Sequence, residues 1–378
     1  MIRVGTVGGW TPSPPLRRAR STPSAASRSS PRREQRWARP WRWRPPTRRH
    51  HAGRQAGSLL DAARASLAAS LSACQAPGAP AIRPEEVFLT ASRADAERLA
   101  VTAGPGPRVV SAVEATGLLD RAEAWPDTRI APVDALGRVQ LPIDADPLEA
   151  GPINTGLLIV QAANPEVGTR QPADLGAAPR LMDAAQAIAR DPIPGSWTTL
   201  IASARDWAGP AGVAVCVVRG GRPTAPAVRG WLDGFPNIPA AVGAARALEL
   251  LVPDWQARAR RDRERIEAIR AAAAAIPDVE VVGDPVDRLP HVVTFSVLYV
   301  SGEAIVDALD AQGIAVASGS ACVDEASRPS HVLAAMGAYT GGNVRVSIPF
   351  GCTDETIERF LDVLPGTIAD LRDDTVNR

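Results

Sequence analysis

Ser318-Gly319-Ser320-Ala321-Cys322-Val323-Asp324, then Pro329-Ser330-His331-Val332-Leu333, then Gly342-Asn343-Val344-Arg345-Val346-Ser347, form the most informative run of the chain. A cysteine on a Gly/Ser-rich loop has the exposure and mobility that a nucleophile needs, and an arginine on the strand that follows can fork onto a carboxylate. Taken singly, the same residues also describe a free surface thiol and a structural arginine. Around them, short apolar runs alternate with helical spacing, predicting strands over 280–282, 292–297, 314–317 and 343–348 and helices over 302–312 and 354–371. The expectation is a compact α+β domain over 277–378.

Toward the N-terminus, Leu59, Leu60, Ala63, Leu67 and Leu71 recur at helical spacing with Asp61 in the first turn, predicting an amphipathic helix over 58–74. Apolar runs at 87–90, 108–112, 157–161, 181–183, 199–203 and 213–218 read as strands separated by helices. Such a pattern predicts a mostly parallel sheet covered on both faces, a large α/β domain over 50–250. A long helix follows over 239–275, broken near Pro253. Its charged second half, 258–270, reads as a solvated linker helix within 251–276. No internal repeat is visible.

The chain has 378 residues, 45% of them apolar and 22% charged, enough for two or three domains of about 100 to 200 residues each. No run approaches the roughly 18 apolar residues of a membrane span, and no secretory signal pattern is present. Cys74, Cys216, Cys322 and Cys352 form no C-x-x-C pair, which argues against a zinc site or a disulfide framework and for a reducing cytoplasm. All 42 basic residues are arginine. With no lysine, a Schiff base between a lysine amine and a carbonyl or pyridoxal is excluded. Residues 1–49 are rich in Arg, Pro, Ser and Trp and lack periodicity. Residues 1–50 hold thirteen arginines against the single acid Glu34, a net +12, so the remainder carries −11 against a whole-chain +1. A solvated tail and an out-of-frame translation of a GC-rich region are preferred for this segment over a nucleic-acid-binding arm, and an organelle transit segment is a further alternative.

The loop cysteine, the Pro-Ser-His helix start and the strand arginine together closely resemble the C-terminal domain of cysteine desulfurases, class V aminotransferase relatives that use pyridoxal phosphate. In that family the cysteine receives sulfur from L-cysteine as a persulfide and the arginine holds the substrate carboxylate, roles the resemblance gives to Cys322 and Arg345. Ala163-Asn164-Pro165-Glu166-Val167-Gly168-Thr169 is similar to the family's V-N-N-E-x-G-T segment, placing Asn164 beside that carboxylate. Asp183-Ala184-Ala185-Gln186 resembles D-A-x-Q, in which the Asp pairs with the cofactor's ring nitrogen and the Gln touches its ring oxygen. A carboxylate there keeps the ring protonated and electron-withdrawing. The resemblance covers about 50–375, with the basic tail where the family has its first strand. It implies a fold-type-I architecture, a large domain with a mostly parallel seven-stranded sheet plus a small α+β C-terminal domain. It also implies a homodimer, a sulfur-acceptor protein and no metal.

The chain departs from the family inside the cofactor pocket. Ser203-Ala204-Arg205-Asp206 aligns with S-x-H-K, so Ser203 is kept, while Asp206 stands where the family's lysine forms the internal aldimine and Arg205 replaces the histidine. Asp206 can accept a proton but cannot hold the cofactor covalently. Ala115 stands at the ring-stacking histidine, Arg93-Ala94 at the phosphate-gripping turn, Pro165 at an asparagine, and Phe235 at the threonine given by the partner subunit. Arg93 and Arg205 remain able to attract a phosphate. Three functions stay open: a desulfurase-like sulfur handler using Cys322 with pyridoxal phosphate bound noncovalently if at all, an inactive scaffold or heterodimer partner of a lysine-bearing paralogue, and, ranked last, nucleic-acid association through the tail.

Overall fold

A computed structural model of the chain describes residues 50–141, 156–221, 237–319 and 329–376. The expectations for the 1–49 tail, Phe235 and Cys322 lie outside them. Among the described residues, those from Leu59 onward belong to one compact unit, which holds both sheets. No helix among the described residues is long and apolar enough to cross a membrane.

In chain order the elements are α1 (His51–Ala73), β1 (Val87–Thr90), α2 (Arg93–Ala103), β2 (Arg108–Ser111), α3 (Thr116–Glu123), β3 (Arg129–Ala131), β4 (Leu157–Ile159), β5 (Arg180–Asp183), β6 (Thr199–Ser203), β7 (Ala214–Val218), α4 (Ile238–Leu251) and α5 (Trp255–Ala274). The C-terminal part adds β8 (Val279–Val282), β9 (Val292–Val297), α6 (Gly302–Asp310), α7 (His331–Ala335), β10 (Asn343–Ser347) and α8 (Asp354–Val376).

Seven strands form one sheet in the order β1-β7-β6-β5-β4-β2-β3, parallel from β3 through to β6, with β7 antiparallel to both its neighbours. The central strands are apolar without a break because both faces are covered. Period-two alternation divides them: Leu200, Ala202, Val215 and Val217 join Leu67 and Leu71 of α1 and Ala244 and Leu248 of α4 in one core. Ile201, Ala214 and Cys216 turn to the other face, against Leu99 of α2 and Leu118 of α3. Since β1 runs with β2, β4, β5 and β6, the carboxyl ends of all five strands lie on one edge, the usual place for a ligand in such a sheet.

The second sheet, β10-β9-β8, is antiparallel. Val293, Phe295 and Val297 of β9 pack with Ile305, Leu309, Phe360 and Leu364. Thr294, on the opposite face of β9, donates its hydroxyl to the Glu166 carbonyl at 2.6 Å, tying this sheet to the edge where the large strands end.

Two expectations need correction. Residues 314–317 are not a strand. The Ile314 N–H bonds the Leu309 carbonyl and Gly313, at φ +76°, reverses the chain, so this backbone caps α6. Only Ala317 pairs with Arg345, in an isolated bridge. The charged helix α5 is likewise not a solvated linker: Ile266, Ile269 and Ala273, spaced three and four apart, are fully buried in the core of the second sheet. The break expected near Pro253 is present as a 3-10 turn, Val252–Asp254. Ile269→Ala should therefore cost about 2 to 5 kcal/mol in urea unfolding, whereas a solvated linker would lose less than about 0.5 kcal/mol.

Candidate active site

Asp183 is the last residue of β5 and is 7% exposed. Its Oδ1 accepts the Ala185 N–H at 3.0 Å and its Oδ2 accepts from the Arg93 guanidinium. Arg93 opens α2, behind the cap Ser92, and points across the strand ends rather than out to solvent. Its Nε donates to Glu97 Oε1, one helical turn on, at 2.9 Å, and its Nη1 lies 4.0 Å from Asp206 Oδ2. Glu97 is shared with Arg121 at 3.3 Å. A cation at a helix N-terminus opposes the helix dipole. Asp183, then Asp206 and Glu97, reverse that cost and hold Arg93 firmly protonated.

Asp206 sits in the 3-10 turn Ala204–Trp207, fixed by Trp207, which is fully buried and donates Nε1–H to the Ala244 carbonyl at 2.9 Å. The Ser203 N–H donates to Asp206 Oδ2 at 2.7 Å, and the Ser203 hydroxyl accepts from Arg205 N, so Ser203 spends its polar groups on the turn. Burial pushes the Asp206 carboxyl up to about 6, against the hydrogen bond from Ser203 and the charge of Arg93. Arg205 is exposed. A fourth carboxyl, Glu114 beyond β2, is fully buried and held well above the usual carboxylate range, first by burial and then by the charge of Asp183. Its Oε1 accepts the Gln161 N–H at 2.6 Å.

The remaining expected site residues lie toward the second sheet. Asn164 is fully buried, accepts the Glu166 and Val167 N–H groups and donates to the Val113 carbonyl. Its amide holds the turn that Gly168 closes at φ +78°, where a Cβ would meet the Val292 carbonyl at 3.2 Å. Gln186 Oε1 lies 3.2 Å from His291 Nε2. Arg345, on β10, is countered by Glu166, and its Nε is buried without a hydrogen-bond partner.

The class-V aminotransferase family model matches residues 126–360. A cysteine desulfurase of Cereibacter sphaeroides is 36% identical over 341 residues, 82% of this chain and 86% of that protein. The chain belongs to the cysteine desulfurase family. A cysteine desulfurase of Archaeoglobus fulgidus is 33% identical over 65% of this chain and 68% of its own length. The fold is shared with a NifS-like protein from Rickettsia africae, at TM-score 0.72 and 21% identity, covering 90% of this chain and 96% of that one.

Against this desulfurase background, the residues present do not fit pyridoxal phosphate. No amine stands at position 206. Both oxygens of Asp183, the expected partner of the ring nitrogen, are taken within the chain. Arg93, expected to be free for a phosphate, is committed to three carboxylates. Asn164 and Gln186 likewise have partners within the chain, which leaves Arg345 with an unmatched donor. Sequence reasoning missed Glu97 and assigned Glu114 no role. For Glu97 the signal is its i,i+4 spacing from Arg93; Glu114 directly precedes Ala115, the position of the family's ring-stacking histidine.

Asp206 has a folded value near 6 against an ordinary 3.8, so between these the folded state binds more protons than the unfolded one. Stability from this group is present below the lower value and is lost as pH rises through about 6. Asp206→Asn, which stays neutral and can still accept from Ser203, should gain on the wild type by on the order of 2 kcal/mol between about pH 4 and pH 7. Thermal melts of both proteins across that range check this; parallel curves would contradict it.

Proposed function

We propose that this member of the desulfurase family does not run lysine-dependent pyridoxal phosphate chemistry and serves as a non-catalytic partner or scaffold in sulfur handling. The observation that carries the proposal is the ion pair between Arg93 and Asp183. Together with an aspartate at the aldimine position, it leaves neither a covalent anchor nor a free counter-ion for the ring nitrogen. A cytoplasmic protein that pairs with itself or with a lysine-bearing paralogue fits this reading, and nucleic acid is not needed to explain it.

A second reading keeps Cys322 as a persulfide acceptor for sulfur made elsewhere. The partnerless Nε of Arg345 favours it, because the carboxylate of a bound sulfur-bearing amino acid could accept from that group. Cys74, buried and pushed up to about 11, is an internal reference of low reactivity. Alkylation of Cys322 at no more than the Cys74 rate would sink the carrier.

Titration with pyridoxal phosphate, followed by borohydride reduction and peptide mapping, tests the main proposal. We expect no adduct beyond the single α-amine of Met1, and no sulfide from L-cysteine. A fixed adduct elsewhere, or sulfide release at desulfurase rates, would contradict it.

A further inference from the structure

Three side-chain carboxylates and two guanidiniums meet at the strand ends: Asp183, Asp206 and Glu97 with Arg93 and Arg121. Arg93 is the member that touches all three acids. The N-terminus of α2 would ordinarily draw a phosphate. Here Ser92 accepts the Asp95 N–H at 3.1 Å and donates to Asp95 Oδ2 at 2.7 Å, so a carboxylate already stands at that end. To reach Asp183, a ring nitrogen must displace Arg93 and leave Asp206 and Glu97 with one cation fewer.

We propose that Arg93 stands in for the cofactor's ring cation and latches Asp183 to Asp206, so that pyridoxal phosphate stays out even when an amine is restored at position 206. This rests on the reading that lysine chemistry is absent and deepens it, giving the Arg93–Asp183 pair a blocking role that would persist if the lysine were restored. Loss of the lysine removes the covalent anchor; Arg93 removes the space and the counter-charge. The latch also replaces the stabilisation that a bound cofactor would give to Asp183, since a buried carboxylate stripped of its partner is strongly destabilising.

Two measurements test it. In a double-mutant cycle of Arg93→Gln and Asp183→Asn read by thermal melts, the losses should be strongly non-additive, with Asp183→Asn costing several degrees in the wild type and little in Arg93→Gln. Arg93→Met, which keeps the apolar stem, repeats the cycle if the glutamine variant folds poorly. In the second, Asp206→Lys alone should form no borohydride-fixed pyridoxal adduct at position 206, while the Arg93→Gln/Asp206→Lys protein should bind pyridoxal phosphate at least tenfold more tightly and form one. Additive melts, or equal uptake by the two lysine-bearing proteins, overturn the latch. Sulfide production by the wild type would instead sink the proposed function, so the two failures are distinguishable.

Discussion

The guanidinium of Arg93 lies among Asp183, Asp206 and Glu97, and the rest of the site is arranged around that contact. The fold itself creates the need for it. Parallel strands bring their carboxyl ends to one edge, and here that edge carries Asp183 after β5, Asp206 after β6, Glu114 after β2 and Glu97 on the helix after β1. In a partly dehydrated setting, neighbouring carboxylates either take up protons or find a cation. Both solutions are used: burial raises Glu114 and lifts Asp206, while Arg93 and Arg121 pair with the others.

The scaffold beneath this edge has apolar cores built from residues other than the clustered acids and arginines. Leu200, Val215 and Val217 on one face bury the central strands against α1 and α4, and Ile201, Ala214 and Cys216 on the other pack on the apolar faces of α2 and α3, whose Arg93, Glu97 and Arg121 belong to the site. The second sheet has its own core, built with the buried stripe of α5. Packing and site draw on different side chains, so a desulfurase fold does not by itself dictate the chemistry of its site.

Much of this was legible in the sequence. The unbroken apolar runs gave the parallel sheet, and the D-A-x-Q and S-x-H-K resemblances placed Asp183 and Asp206 in one pocket before any geometry was known. The destination of Arg93 was not legible. Its position in the turn pointed to a phosphate, and only the closeness of β1, β5 and β6 in space shows that its side chain spans three acids. The burial of α5 was hidden for a different reason: arginines and acids outnumber Ile266, Ile269 and Ala273, and a short apolar stripe is easily lost in such a helix. Residues 314–317 have strand composition, but capping of α6 claims their backbone first.

Whether Arg93 closes the ancestral cofactor site is decided at Asp183. The most direct measurement is a crystal structure of the wild-type protein grown with excess pyridoxal phosphate. We expect the Arg93 guanidinium on Asp183, with no pyridine ring between β5 and Asp206. A ring nitrogen on Asp183, with Arg93 turned away from it, would overturn the latch.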